Sequence, residues 1–219
     1  DLFAANKTYI EDGGIFSSDN YLGKNIYFGV REHAMGAIMN GLALCGFRSY
    51  GSTFLSFSDY LRPAIRMASL MNLSPVYIFT HDSISVGEDG PTHQPVELVA
   101  SLRTIPGVQV LRPADAEEAV EAWKIAKDVK NHPVCICLSR QNLPVFEKED
   151  PDWKNTIKTG AYIAKKSSDT PDVTVIATGS EVSLAIEAAK LSKKNVRVVS
   201  VLDKATFEAQ PEVLINTII

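Results

Sequence analysis

The segment THDSISVGEDGPTHQPVE, Thr80 to Glu97, carries His81 and His93 with Asp89 between them on a stretch broken by Gly87, Gly90, Pro91 and Pro95. Glycine permits backbone angles that other residues avoid, and proline restricts its own, so this spacing predicts a shaped loop and not a helix. An imidazole beside a carboxylate supplies donors and acceptors near neutral pH, which suits hydroxylated and phosphorylated ligands. A metal site built from the same three side chains is the lesser alternative, because their irregular spacing matches no zinc or iron pattern.

Further candidates follow apolar runs. Arg31, Glu32 and His33 come after NIYFGV, Arg112 after VQVL, and Arg140 after VCICLS. In open parallel sheets ligands lie outside the carboxyl ends of the strands, so these positions gather charge at one edge. Charged residues also follow strands simply because loops are solvated, and that account is kept for Arg112. Phe54, Phe57 and Tyr60 recur at a spacing of three in STFLSFSDYLRPAIRMASLM. On a helix they form one aromatic stripe, which is either core packing or a wall for a flat ring.

Alternating strands and helices must position these groups. NIYFGV, residues 25–30, predicts a strand leading into the helix REHAMGAIMNGLAL, with Met35, Ile38, Met39 and Leu42 on one side. PVYIFTH, VQVLRP and PVCICLSR predict further strands, separated by the helices QPVELVASLRTI and DAEEAVEAWKIAKDV. Asp115 with Glu118 three residues later is a capping-box signature at the start of the last helix. Near-continuously apolar strands separated by helices imply an α/β domain of three layers, a mainly parallel sheet between helices. From Glu147 to Asp172 the chain turns polar and is broken by Pro151, Gly160 and Pro171. We therefore expect a first domain over 1–146, a linker over 147–160, and an incomplete second α/β domain over 161–219.

The 219 residues are 45% hydrophobic, enough for a sizeable core, and their net charge of -4 gives no overall attraction to nucleic acid or an anionic membrane. Cys45, Cys135 and Cys137 fit neither a disulfide framework nor a zinc spacing, and read as buried, reduced thiols. No apolar run reaches the ~18 residues of a membrane span. A signal-peptide pattern is lacking too, so the expected location is cytoplasmic.

The segments GVREHAMGAIMNGLAL, STFLSFSDYLRPAIRMA, THDSISVGEDGPTHQPVE and LSRQNLP, in this order, resemble those of the transketolase family. GEDGPTHQP in particular is similar to the loop that transketolase shares with dihydroxyacetone synthase. The resemblance implies a thiamine diphosphate enzyme of the pentose phosphate pathway. It moves a two-carbon ketol unit between sugar phosphates, in a homodimer that shares its active site between subunits. It covers the pyrimidine-binding domain and the start of the C-terminal domain. The diphosphate domain, with its GDG motif and Mg²⁺ or Ca²⁺, has no counterpart in these residues.

By that resemblance, Glu32 hydrogen-bonds the cofactor's pyrimidine ring. It favours the imino tautomer that generates the thiazolium ylid. Phe54, Phe57 and Tyr60 match the aromatic pocket around the pyrimidine, with Phe57 stacking, and Asp1 matches an acid near the cofactor. His81 and Arg140 match phosphate-binding residues, Asp89 a hydroxyl acceptor that reads sugar stereochemistry, and His93 a proton-handling group. Ala5 stands where the family usually has a phosphate-contacting serine, which leaves Asn6 or Lys7 to compensate. The fragment alone is expected to be inactive. The alternatives are a dihydroxyacetone synthase-like enzyme and a noncatalytic docking module that retains the fold. A nucleotide-binding reading of ATGSEV lacks the full glycine fingerprint.

Overall fold

The computed structural model describes residues 3–219. After a short helix, α1 (Phe3–Asn6), the chain runs to residue 31 without a regular element. Asn25 organises this stretch: its side-chain carbonyl accepts the Ile10 N–H at 2.8 Å, and its amide donates to the Ile10 and Gly14 carbonyls at 3.0 Å. The strand expected over 25–30 does not form. Its only pairing among the described residues is an isolated bridge from Ile15 to Asn25. Gly29 turns the chain with a φ of 63°, and Tyr27 and Val30 remain exposed. An apolar alternation becomes a strand only where a neighbour takes its backbone groups.

From residue 32 the alternation is regular. The elements are α2 (Glu32–Leu44), β1 (Tyr50–Phe54), a 3-10 turn (Leu55–Phe57), α3 (Ser58–Leu70), β2 (Val76–Thr80), α4 (Leu98–Arg103), β3 (Gln109–Leu111), α5 (Ala116–Asp128) and β4 (Val134–Cys137). The strands form a four-stranded, all-parallel sheet in the order β1-β2-β4-β3. Then follow α6 (Trp153–Thr156), β5 (Ala161–Lys165), β6 (Val173–Ala177), α7 (Glu181–Leu191), β7 (Val196–Val201), α8 (Lys204–Glu208) and α9 (Glu212–Ile218). The second sheet, β5-β7-β6, pairs β6 with β7 in parallel and adds β5 antiparallel.

Strand period two divides the first sheet's side chains between two cores. Tyr77, Phe79, Val110, Cys135 and Cys137 face Met35, Met39, Leu61, Ile65 and Leu102 from α2, α3 and α4. Val76, Ile78, Leu111, Val134 and Ile136 face α5 and, beyond it, Tyr162, Val182, Val198 and Leu202 of the second unit. The two units thus share one core. Burial drives the thiols of Cys135 and Cys137 well above the ordinary cysteine range. Cys45 departs from expectation, since it lies exposed where α2 ends. So does Ile38, 45% exposed on the outer side of α2. Asp115 caps α5 as predicted by accepting the Glu118 N–H at 2.9 Å, while the Glu118 carboxylate reaches back to the Ala114 N–H at 2.8 Å.

Gly36 is what lets α2 and α3 approach each other. A Cβ there would stand 2.5 Å from Leu61 Cδ1 and 2.8 Å from the Ala64 methyl. Gly36→Ala is expected to destabilise the chain by about 1–3 kcal/mol through overpacking, read as a lower urea midpoint at unchanged m. A midpoint equal to wild type contradicts this packing.

Candidate active site

The strand-end placement of the candidate residues follows from topology. Register pairs Phe54, the last residue of β1, with Thr80, the last of β2, so the aromatic ring stands beside the residue after Thr80. That residue is His81, whose ring stacks on Phe54 with centroids 3.7 Å apart and planes 24° from parallel. Its Nδ1 lies 3.0 Å from the Thr80 hydroxyl, which donates to the side-chain carbonyl of Asn6 at 2.8 Å. Asn6 is therefore engaged inside the fold, and Lys7 is the exposed cation beside Ala5. His81 has a φ of 62°, left-handed backbone that costs a non-glycine residue about 1–3 kcal/mol and persists where the surroundings enforce it. Burial lowers its pKa; Asp89 pulls it up, while Arg140 and His93 push it further down. The net direction is downward, and three of the predicted side chains lie within electrostatic reach of the imidazole.

His93 approaches from the other side. Its ring meets Phe57 edge-on at 5.1 Å and Phe54 at 5.9 Å, and its Nδ1 lies 2.9 Å from the Thr92 hydroxyl. Phe54 and Phe57 lie parallel, 5.8 Å apart, and Tyr60 follows at 6.2 Å with 65% of its surface exposed. The three aromatics do form one continuous run, but not along one helix as the spacing suggested. Phe54 ends a strand, Phe57 ends the 3-10 turn, and Tyr60 lies in the first turn of α3. Arg140 lays its guanidinium against Gly87, whose φ of 86° suits glycine and whose missing Cβ would sit 3.5 Å from the guanidinium carbon. Asp89 is exposed at the same loop.

Glu32 opens α2. Gly36 meets Leu61 and Ala64, and Asn40 donates to the Ala64 carbonyl at 2.9 Å, so α2 and α3 run in the same sense. Their first turns therefore share one end, the carboxyl edge of the sheet. Glu32 reaches that edge although no strand precedes it. The residue is only 5% exposed, and no hydrogen bond or ion pair reaches its carboxyl group among the described residues. Arg31 and His33 are exposed; the Arg31 guanidinium donates to the Phe28 carbonyl at 2.8 Å. Asp1 lies outside the described residues. Two clefts lie elsewhere, about 300 Å³ beside Lys124 and Lys154 and about 570 Å³ between Val145 and Leu184. The site itself is an open edge.

The pattern of transketolase's pyrimidine-binding domain matches residues 5–145, and that of the transketolase-like C-terminal domain matches residues 160–219. The chain belongs to the transketolase family. It is 57% identical over 211 residues to the transketolase of Treponema pallidum, covering 95% of this chain and 32% of that one. The Bacillus subtilis transketolase is 51% identical, covering 100% of this chain and 34% of its own. Among solved structures, a transketolase from Pichia stipitis in complex with sedoheptulose 7-phosphate superposes with a TM-score of 0.92 at 39% identity, covering 100% of this chain and 33% of that one. The chain thus spans about a third of the transketolases it matches.

Sequence reasoning missed Arg112, kept above as a solvated loop residue. It is buried. Its Nε donates to Asp82 at 2.7 Å, and its Nη1 to Glu181 at 2.5 Å and to the Thr178 carbonyl at 3.0 Å. Burial pulls the Arg112 pKa down, but the Asp82 and Glu181 carboxylates more than offset it and keep the group charged. No local signal marks these partners, which lie far from Arg112 in sequence.

Proposed function

We propose that this chain is the pyrimidine-binding part of a transketolase, which transfers a two-carbon ketol unit from a ketose phosphate to an aldose phosphate with thiamine diphosphate. The observation that carries this reading is that Glu32, 5% exposed and without a side-chain hydrogen bond or ion pair among the described residues, opens α2 at the same sheet edge as the Phe54–Phe57 wall, His81, His93 and Arg140. A flat heterocycle with a basic ring nitrogen fits this donor and this wall.

When bound, thiamine diphosphate supplies a carbon nucleophile for the sugar's carbonyl. The chain's own residues then divide the remaining tasks. Glu32 holds a proton at the pyrimidine ring nitrogen, and Phe57, backed by Phe54, orients the ring by stacking. Tyr60 extends that wall, and Asp1 is assigned beside the cofactor by family likeness. Arg140 takes the sugar phosphate through its guanidinium N–H groups, and His81 is assigned to the same phosphate. Asp89 accepts from a sugar hydroxyl, and His93, half-buried against the aromatics, moves protons near the reacting carbons.

Mg²⁺ or Ca²⁺ and the diphosphate contacts are assigned to a separate diphosphate-binding domain. No cluster of three His, Cys, Asp or Glu side chains suited to a metal ion occurs among the described residues. We assign the working form to a homodimer in the cytoplasm. No helix of the described residues is long and apolar enough to cross a membrane.

The test is complementation. With Mg²⁺ and thiamine diphosphate, the chain alone is expected to show no micromolar cofactor binding by calorimetry. Addition of a transketolase diphosphate-binding domain is expected to produce both binding and ketol transfer. A folded complex without turnover overturns the reading and favours a docking module.

A further inference from the structure

We propose that Arg112 is a positioning residue for His81, braced by the second unit: it fastens Asp82, the neighbour of His81, to the start of α7. The proposal rests on the reading of His81 as a phosphate-binding group. The left-handed backbone of His81 needs enforcement from both sides. On the ring side there are the Phe54 stack and the Thr80 hydroxyl. On the chain side there is Asp82, 4% exposed, whose N–H donates to the Leu138 carbonyl at 3.2 Å and whose Oδ2 accepts from Arg112 Nε at 2.7 Å. Its other oxygen, Oδ1, has no partner among the described residues. The Arg112 fork is thus the one charged group that fixes this buried carboxylate among those residues.

Arg112 in turn is seated by the second unit. Its N–H donates to the Leu202 carbonyl at 2.9 Å, and its own carbonyl accepts the Gly179 N–H at 3.2 Å. Gly179, at a φ of 59°, forms the wall of its slot: a Cβ there would stand 2.7 Å from Arg112 Nε. Glu181 and the Thr178 carbonyl hold the far side of the guanidinium. A planar fork can serve Asp82 and Glu181 together; a lysine ammonium is a point charge on a flexible stem and cannot reproduce that geometry. The position of the imidazole is therefore set by both units and not by its own loop.

The first readout needs neither cofactor nor substrate. The Phe54 ring, 3.7 Å from that of His81, imposes a ring-current shift on the His81 Cε1–H resonance, which a His81→Gln comparison assigns among the four histidines. Arg112→Lys and Gly179→Ala are expected to move this resonance toward its position in an unstructured peptide. In the complemented enzyme the same variants are expected to raise KM for a phosphorylated acceptor about tenfold, the scale of one charge-assisted hydrogen bond. KM for an unphosphorylated acceptor and kcat stay within about twofold of wild type. Arg112→Met/Asp82→Asn removes both charges together and guards against simple unfolding. A folded variant of any of these three with an unmoved His81 resonance overturns the proposal. If His81→Ala leaves the preference for phosphorylated acceptors intact, the phosphate reading fails instead, and the resonance alone still decides the positioning.

Discussion

Replacing Glu32 by glutamine is expected to lower kcat of the complemented enzyme by roughly 10²–10⁴-fold, the usual range for losing a positioned acid or base, while the chain's thermal stability stays equal or rises. The two directions have one cause. Glu32 is buried, yet no protein hydrogen bond or ion pair reaches its carboxyl group among the described residues, so the fold gains little from its charge beyond the small helix-dipole benefit of a first-turn acid. A neutral amide of the same shape is easier to bury. What the amide cannot do is exchange a proton with a ring nitrogen, which is the role proposed for the carboxyl. Turnover and melting temperature measured on the same preparation separate this from a structural effect. Turnover within about threefold of wild type would remove Glu32 from the machinery.

Much of this arrangement was legible beforehand because it depends on local periodicity. The near-continuous apolar runs at 76–80 and 134–137 are buried strands, and Asp115 with Glu118 does start a helix. An alternation of strands and helices places loops at strand ends, so the edge location of His81 and Arg140 followed from order alone. The failures share a different character. NIYFGV has strand-like residues but, among the described residues, no neighbouring strand along its length, and pairing is not a local property. Phe54, Phe57 and Tyr60 have helical spacing but straddle a strand, a 3-10 turn and a helix, and they meet where the turn Leu55–Phe57 joins β1 to α3. Cys45 is an apolar-type residue that the end of α2 leaves exposed. Arg112 resembles any loop cation until the second unit is folded against it. The resemblance to transketolase named residues that gather at this sheet edge; it gave no hint of the polar links that tie the two units together.

The strongest of those links is Glu118, and Glu118→Ala is expected to cost at least about 3 kcal/mol, since each buried group left unsatisfied costs about 1–3 kcal/mol. Its carboxylate is completely buried on α5. One oxygen accepts the Ala114 N–H at 2.8 Å; the other accepts the Tyr162 and Ser200 hydroxyls, both at 2.8 Å. Tyr162 and Ser200 belong to β5 and β7, so truncation strands donors in both units and opens a void in their shared core. For a domain of this size the loss corresponds to a melting temperature lower by roughly 6–12 °C. Glutamine is a different experiment. Its carbonyl can keep the Ala114 bond and its amide can donate to the two hydroxyls, so stability at neutral pH should stay within about 1 kcal/mol of wild type.

The pH dependence distinguishes the two states of the carboxyl. Burial raises the Glu118 pKa above its ordinary 4.5, the hydrogen bonds from Ala114, Tyr162 and Ser200 only partly opposing it. A raised folded-state value means that the unfolded chain releases this proton first. The wild type is therefore favoured relative to Glu118→Gln below pH 4.5, and it loses that advantage as pH rises through the folded-state value. Urea midpoints of the two proteins, taken in parallel from acid to neutral pH, should diverge in that direction. A difference that stays flat across the series, or one of opposite slope, would mean that Glu118 enters the core already ionised and that the hydroxyls outweigh burial.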